Sequence, residues 1–350
     1  MVGRRAGVAA AAFAAAAFAA ACTSGAPPGF GGLTGDRWAF PLVGPLEDGL
    51  LITPVMLNTH GPYLFLIDPD APISIVDAEL VKAASLRPVP GPPRLDESDT
   101  QRVRGYAELI GMEIGTLIVE RREAMIVSSH TYDTAGRRIH GVLGRDVLAD
   151  SLAFGFDRDR GLAHVVAQAA FRPPAGATAI SYEQLEPRIK NVQVLPVPRR
   201  IVRATIGGES FPLHVDLGAT TSQLREGLWP KAGLVARDLQ AAVIDEVGSV
   251  RRVSKASEAV TATIGGASGP VAFVPYGDKR WEEQDIAGTL GLGFLAGYAV
   301  WASWHTKTLY LAPRPTVSAA ARIARWDSPV LAKCPNPGCI GIRVVDPLGG

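Results

Sequence analysis

The sequence predicts an all-β protein in which two lobes of one architecture follow each other along the chain. The first observation is an internal repeat: the segment around Asp68 matches the segment around Asp216 at an offset of 148 residues, and Gly141–Gly144 matches Gly288–Gly291 at an offset of 147. The second observation is that both copies consist of short apolar runs separated by turn residues, which is the pattern of β-strands. A repeat of this length predicts two similar structural units.

Composition narrows the possible functions. The chain has 350 residues, of which 47% are hydrophobic, so it can bury a substantial core. Lys plus Arg number 35 against 34 for Asp plus Glu, and without a basic surplus we expect no nucleic-acid partner. The arginine pairs, Arg199–Arg200 among them, are interpreted as solvated surface. The six histidines show no metal-ligand spacing and there is no phosphate-binding loop, so we expect no metal and no cofactor.

The first 22 residues have the layout of an export signal. Two arginines precede the 16 uncharged residues of Ala6–Ala21, which are too few for a membrane-spanning helix of about 20 residues. The alanines before Cys22 resemble the lipobox of bacterial lipoproteins. This resemblance implies that residues 1–22 are a lipoprotein signal peptide and that lipid on Cys22 anchors the protein in the bacterial cell envelope, with Thr23 favouring the outer membrane. A plain signal peptide is the alternative.

The first copy is predicted to occupy residues 41–170, after a flexible tether at 23–40 that is rich in Gly, Pro and Ser. Its first hairpin turns at Asn58–Gly61 and delivers Asp68 at the end of a strand. The remaining predicted elements of this copy are the hairpin strands Ile52–Leu57 and Tyr63–Ile67, a helix at Asp77–Ala84, strands at Ala107–Ile114 and Leu117–Val127, and a closing hairpin that turns at Asp157–Gly161.

The second copy is predicted at 199–315, after a linker at 171–198 that contains five prolines. Its first hairpin turns at Gly207–Gly208 and delivers Asp216. The other predicted elements are strands Ile201–Ile206 and Phe211–Val215, a helix at Arg225–Ala232, strands at Val260–Ile264 and Pro270–Val274, and a closing hairpin that turns at His305–Thr308.

Residues 316–350 are predicted to form a C-terminal extension. Cys334 and Cys339 are separated by four residues, and in an exported chain this spacing favours a local disulfide over zinc, which would need two more ligands. Gly341–Asp346 has the pattern of a strand, whose partner lies either in the lobes or in residues beyond Gly350.

The repeated landmarks resemble the aspartic proteases of the retropepsin and pepsin type. In both copies an apolar strand runs into an aspartate, and an apolar-apolar-Gly strand follows about seventy residues later. The resemblance covers about residues 41–313 and implies a bilobal acid-protease fold, with two retropepsin-like β-barrel lobes related by a pseudo-twofold axis. It implies that Asp68 and Asp216 are the catalytic pair of an endopeptidase acting on a peptide or protein. It also implies a supporting set of loop residues: Asp70, Ala71, Gly218, Ala219, Thr220, Gly144 and Gly291.

The chemistry of such an enzyme requires two carboxyl groups. Carboxylates about 3 Å apart cannot both ionise cheaply, so they share one proton. The ionised member is the general base for a water molecule, while the protonated member donates to the scissile carbonyl oxygen. The two apparent pKa values belong to the pair, so neither aspartate has a fixed role.

The first copy departs from the family pattern because it reads Asp68-Pro69-Asp70, where the second reads Asp216-Leu217-Gly218. Neither Pro69 nor Leu217 has the hydroxyl that the family's Thr or Ser bonds to the opposite loop. Pro69 also lacks a backbone N–H group. Asp70 adds a third carboxyl group where glycine permits close approach, and three interpretations are open: it raises the pKa values of the pair, it binds a cation, or it caps a loop that faces solvent.

These departures leave two alternatives to an active enzyme. One is a catalytically inactive homologue that binds a peptide in the cleft by strand addition, and the other is a structural envelope lipoprotein. The sequence pattern predicts that Pro69→Thr combined with Asp70→Gly restores the first loop. Four nearby hydroxyl residues are candidates to hydrogen-bond the aspartates, although helix capping is the simpler interpretation: Ser74, Thr220, Thr221 and Ser222.

Overall fold

The computed structural model describes residues 36–43, 49–90, 103–133, 137–148, 152–185, 198–244, 250–276 and 285–314. The signal segment with Cys22, the extension at 316–350 and its two cysteines therefore lie outside the described residues. Within the described ranges no helix is long and apolar enough to cross a membrane.

The described residues form 23 β-strands and three short α-helices. The strands are β1 (Arg37–Pro41), β2 (Ile52–Leu57), β3 (His60–Ile67), β4 (Ile75–Asp77), β5 (Arg87–Val89), β6 (Gly105–Ile114), β7 (Leu117–Val127), β8 (Gly141–Leu143), β9 (Leu152–Asp157), β10 (Leu162–Ala167), β11 (Thr178–Ser181), β12 (Glu183–Leu185), β13 (Arg199–Ile206), β14 (Glu209–Val215), β15 (Ser222–Leu224), β16 (Ala236–Ile244), β17 (Val250–Ser257), β18 (Val260–Ile264), β19 (Ala267–Val271), β20 (Phe273–Pro275), β21 (Gly288–Leu290), β22 (Tyr298–Ser303) and β23 (Thr308–Pro313). The helices are α1 (Ala78–Ala83), α2 (Arg145–Leu148) and α3 (Leu292–Leu295).

Each lobe is built around one strongly bent sheet. In the first lobe the strand order is β2-β3-β8-β4-β7-β6-β5, and a further pairing between β2 and β6 curls the sheet towards a barrel. In the second lobe the order is β19-β18-β13-β14-β21-β15-β20, with β12 added beside β13. Corresponding strands pair in corresponding ways, because β3 is parallel to β8 and β14 is parallel to β21.

A third sheet joins the lobes, with the order β1-β10-β9-β22-β23-β11. At its centre β9 and β22 are antiparallel, with Ala153 opposite Ser303 and Phe156 opposite Val300. The repeat offset of 147 relates Ala153 to Val300 and Phe156 to Ser303, so the contact is self-complementary, as a twofold axis requires. The largest apolar core is one cluster that runs through both lobes.

Two predicted boundaries are wrong. Residues 37–40 of the predicted tether belong to a strand, because Arg37–Pro41 pairs with β10 and buries Phe40. The linker at 171–198 contains two strands: β11 pairs with β23 at the edge of the shared sheet, and β12 pairs with β13 of the second lobe. Ile180 in β11 and Tyr182 between the two strands are buried. Proline content indicated a connection, whereas the apolar residues between the prolines had sheet edges to pair with.

Two predicted elements of the second copy also differ. The strand Pro270–Val274 is two strands, because the chain breaks at Ala272 and pairs first with β18 and then with β15. The helix at 225–232 is only a single 3-10 turn at Glu226–Leu228. Pro230 cannot donate to the carbonyl of Glu226, so an α-helix cannot continue there. By contrast, the helix predicted after Asp77 is present, with the Asp77 carboxylate accepting from the N–H of Leu80 at 2.8 Å.

Candidate active site

Each lobe presents one aspartate just beyond the end of a buried strand. The N–H of Asp68 donates to the carbonyl of Leu143 at 3.0 Å, and the N–H of Asp216 donates to that of Leu290 at 2.9 Å. In both lobes the acceptor is the residue before the last glycine of the repeated Gly-x-Leu-Gly segment, Gly144 in the first lobe and Gly291 in the second; we call these two the landmark glycines. The short glycine strand therefore extends the parallel pairing by one bond and fixes where the aspartate loop begins.

The landmark glycines pack directly against the aspartate loops. A Cβ at Gly144 would lie 2.6 Å from the backbone of Ile73, and one at Gly291 would lie 2.6 Å from the carbonyl oxygen of Thr221. Both are impossible distances, so only glycine fits. The N–H of Gly144 donates to Ser74 at 3.0 Å, and that of Gly291 donates to Ser222 at 3.1 Å. The two serines thus support the glycine strands, which is neither of the roles considered for them from sequence.

The remaining predicted loop residues also occupy matching places. The carbonyl of Ala71 accepts from the N–H of Arg145 at 2.8 Å, and the carbonyl of Ala219 accepts from that of Leu292 at 2.7 Å. These bonds join each aspartate loop to the start of the short helix behind it. The hydroxyl of Thr220 lies 3.4 Å from that of its neighbour Thr221.

The structure brings three carboxyl groups together. One oxygen each from Asp68, Asp70 and Asp216 lies within 4.8 Å of the other two. The loops orient the first and third in the same way, because Asp68 Oδ1 accepts from the N–H of Asp70 and Asp216 Oδ1 accepts from the N–H of Gly218, both at 2.9 Å. The backbone N–H two residues after each aspartate therefore orients its carboxyl group in both lobes, although the residue there is Asp70 in the first lobe and Gly218 in the second.

Gly218 is needed for space. An added Cβ would overlap the carboxyl group of Asp68, because that group lies directly against the backbone of the second loop. Asp68 is half-buried and the side chain of Asp216 is 20% exposed. These two carboxyl groups can therefore be reached by water and by a bound molecule.

Asp70, by contrast, is buried, with 5% of its surface exposed. Its Oδ2 accepts from the N–H of Leu217 at 2.9 Å and from the guanidinium of Arg200. Arg200 is 1% exposed, donates to the carbonyl of Val215 at 3.1 Å, and lies over the ring of Trp304. The interpretations of Asp70 as a solvent-facing cap and of Arg200 as solvated surface are therefore wrong: the two residues form a buried ion pair between the lobes.

His214 is a further site residue that the sequence analysis missed. It is 4% exposed, with Nε2 3.4 Å from Asp70 Oδ1 and Nδ1 4.0 Å from Asp216 Oδ2. Burial is the largest influence on this imidazole and lowers its pKa. The available signal for both missed residues was a polar side chain inside an apolar strand, at Arg200 in β13 and at His214 in β14.

The pKa values of Asp216 and Asp70 are shifted in opposite directions. Burial raises the pKa of Asp216, and the negative charge of Asp70 raises it further. Burial would also raise the pKa of Asp70, but Arg200 and then His214 outweigh that effect and hold it below its usual value. Asp70 is therefore ionised when Asp216 still holds its proton. A divalent cation would compete with two donors already placed on Asp70 Oδ2, so the contacts favour ion pairing and proton sharing over a metal centre.

Comparison by sequence found no relative: no family model and no curated protein matches the chain. Comparison by structure found similar folds. An aspartic proteinase from Irpex lacteus has a similar fold, with a TM-score of 0.51 and 13% sequence identity, over 81% of this chain and 99% of that chain. An identity this low speaks for the fold alone. The predicted fold class is confirmed: the chain is nearly all β and has the bilobal acid-protease architecture.

Proposed function

We propose that the protein is an aspartic endopeptidase that hydrolyses peptide bonds with water activated by Asp68 and Asp216. The observation that carries this proposal is the convergence of these two partly exposed carboxyl groups, each oriented by the same backbone N–H group of its own loop. One carboxyl group comes from each lobe, so the pair forms only where the two lobes meet. Asp70 itself exchanges no proton with water or substrate, because it is buried and paired with Arg200.

The raised pKa of Asp216 favours this residue as the first holder of the shared proton. The ionised member of the pair takes a proton from water as the water oxygen bonds to the scissile carbonyl carbon, and Asp216 donates its proton to the carbonyl oxygen. Collapse of the resulting diol breaks the C–N bond: the amine leaves with the proton that came from water, and a diol hydroxyl returns a proton to Asp216 as the carbonyl re-forms. The pair returns to sharing one proton.

The first test is turnover of an unfolded protein, with new peptide termini identified by mass spectrometry. Asp68→Asn and Asp216→Asn should each lower kcat by about 100-fold or more, because either change removes the acid or the base. The matched control is Asp238→Asn, which changes an exposed carboxylate on β16 and should keep wild-type turnover. The wild-type rate should have a bell-shaped pH dependence. Turnover that survives both site substitutions would contradict the assignment.

A second candidate function is peptide binding without hydrolysis. It is favoured by one observation, the absence of hydroxyl groups at Pro69 and Leu217 on the two aspartate loops. In that case the wild type would be inert across the acidic range yet would still retain peptides, measured by calorimetry with the peptides that the turnover assay leaves uncut. Wild-type cleavage that is lost in either asparagine variant would exclude this candidate.

We place this activity at the bacterial envelope, with the membrane reached through lipid on Cys22. The support is the sequence of residues 1–22, which lie outside the described residues. A fatty-acid probe fed to expressing cells should label the wild type and a Cys334→Ala control, but not Cys22→Ala. Equal labelling of the Cys22→Ala variant would contradict lipidation.

A further inference from the structure

We propose that Asp70 and Arg200 are positioning residues that tie the two aspartate loops together across the lobe boundary and thereby set the geometry of the Asp68–Asp216 pair. This inference rests on the proposed function for its kinetic consequences. It concerns two residues that contact neither water nor substrate in the proposed reaction.

The contacts that carry the inference surround Asp216 on both sides. Leu217, just after it, donates its N–H to Asp70. Val215, just before it, accepts from Arg200 through the same guanidinium nitrogen that binds Asp70. A carboxylate of the first loop is therefore bonded, directly or through Arg200, to both neighbours of the second aspartate.

Because the Asp70–Arg200 ion pair is buried, breaking it costs free energy. Asp70 and Arg200 are 5% and 1% exposed, and breaking a buried ion pair by removing one partner leaves an uncompensated charge. The N–H of Leu217 would also lose its acceptor. The second loop can therefore shift relative to the first only by disrupting charge-assisted bonds, which are the stronger class of hydrogen bond.

The connection is asymmetric, although the fold is a repeat. At the offset of 148, Arg200 corresponds to Ile52, His214 to Leu66, and Asp70 to Gly218. One lobe supplies the carboxylate and the other supplies the cation and the imidazole. The ion pair therefore operates between the lobes and has no duplicate at the symmetry-related position.

Asp70 also acts through its charge. The groups that face Asp216 are Asp68, Asp70, His214 and Arg199. Among them Asp70 is held ionised by Arg200, and its negative charge favours the protonated form of Asp216. Neutralising Asp70 should therefore lower the pKa of Asp216 and bring the alkaline limb of the rate profile to lower pH.

The kinetic test uses Arg200→Met, with Arg200→Lys as the conservative variant and Arg314→Met as the matched control. Arg314 is also buried, at 8% exposed, and also pairs with an aspartate of the first lobe, Asp159, but outside the aspartate loops. Arg200→Met should lower kcat by about tenfold or more with KM changed less than about threefold, because misplaced catalytic groups affect the chemical step. Arg200→Lys should recover part of kcat. Arg314→Met should lower only the melting temperature.

Asp70→Asn tests the charge, because it keeps an oxygen acceptor for Leu217. The alkaline limb of its kcat profile should move down by about 1 pH unit. The same shift should be visible without any activity, in the titration of the Asp216 carboxyl carbon followed by NMR. An inert wild type would defeat the proposed function while this titration still decides the role of Asp70.

Three results with the single variants would overturn the inference. These are an unchanged Asp216 titration in Asp70→Asn, a kcat for Arg200→Met equal to that of the wild type, and an equal loss of kcat in the Arg314→Met control. The repair that the family pattern suggests, Pro69→Thr with Asp70→Gly, makes the opposite prediction. This double substitution leaves buried Arg200 without its carboxylate partner, so we expect kcat to fall. A higher kcat would contradict the proposed link between the loops.

Discussion

At the scale of single residues, the two departures in the first loop compensate for each other. Asp70 provides an acceptor for the N–H of Leu217. At the related position of the other loop Pro69 has no N–H, and the residue it would meet, Gly218, has no side chain that could accept one. A proline and an aspartate that each look unfavourable alone are thus consistent with one asymmetric contact. The backbone N–H groups that orient the aspartates are retained in both loops.

The close approach of the loops gives a prediction for Gly218→Ala. The new methyl group would overlap the Asp68 carboxyl group, so we expect loss of most peptide turnover and a destabilisation of about 1 to 3 kcal/mol. Gly227→Ala is the matched control, because a Cβ there meets no atom within 4 Å among the described residues and its backbone is unstrained. Turnover and thermal unfolding measure the two effects. Wild-type turnover in Gly218→Ala would mean that the loops are not in contact.

At the scale of elements, the support of the glycine strands is duplicated but not identical. Ser74 and Ser222 bond their glycines in the same way. Ser74 also donates to Asp146 at 2.9 Å, whereas the position related to Asp146 is Gly293. Asp146 as a residue is partly exposed, but its Oδ2 is buried without a hydrogen-bond partner among the described residues. That local environment, mainly burial, raises the pKa of Asp146 to about 6.

The raised pKa of Asp146 predicts a pH-dependent stability. Between pH 4 and 6 the folded protein holds a proton that the unfolded chain has released, so ionisation of Asp146 lowers the free energy of unfolding as the pH rises through this range. Asp146→Asn should therefore raise the free energy of unfolding by about 1 to 3 kcal/mol at pH 7 and change it little at pH 4. Urea unfolding at the two pH values is the measurement.

A control with the opposite sign is Asp133→Asn. Burial would raise the pKa of Asp133, but His130, the N–H of Ile139 and Arg138 outweigh it and lower the value. Ionised Asp133 therefore contributes stability above the unfolded pKa, and that contribution is lost as the pH falls through the folded value. Asp133→Asn should destabilise at pH 7. Equal effects of the two substitutions at pH 7 would contradict the electrostatic explanation.

At the scale of the whole molecule, the lobes share a sheet instead of a flexible connection. Strands β9 and β22 place each lobe's closing hairpin edge to edge, and Gly155 lies so close to the ring of Trp301 that a Cβ would overlap it. Buried Arg314 adds an ion pair to Asp159 of the first lobe. The shared sheet therefore joins the two lobes into one packed unit.

The shared sheet predicts cooperative unfolding. Calorimetry of the full chain should show one transition, with equal calorimetric and van't Hoff enthalpies, because neither lobe can unfold without exposing the central strand of the other. A fragment ending at residue 185 would leave β9 as an open edge and should aggregate. Two separate transitions in the full chain would contradict the coupling.

Much of the repeat could be predicted from the chain alone. The offset between Asp68 and Asp216 predicted two related lobes, and the first hairpin of each copy lies where the turn residues indicated. Those features depend on neighbours in sequence: alternation of apolar residues, and glycine or asparagine at turns. The strands in the predicted tether and linker could not be found in this way, because they are defined by the sheet edges they pair with.

The sequence by itself determined that two aspartates stand at equivalent points of a repeated β unit, since register within a strand and spacing along the chain are local properties. The tertiary structure decided what surrounds them. Asp70 and Arg200 are 130 residues apart in the chain and meet only because the lobes close on each other. Whether a charged side chain is solvated or paired depends on burial, and burial is a property of the folded molecule.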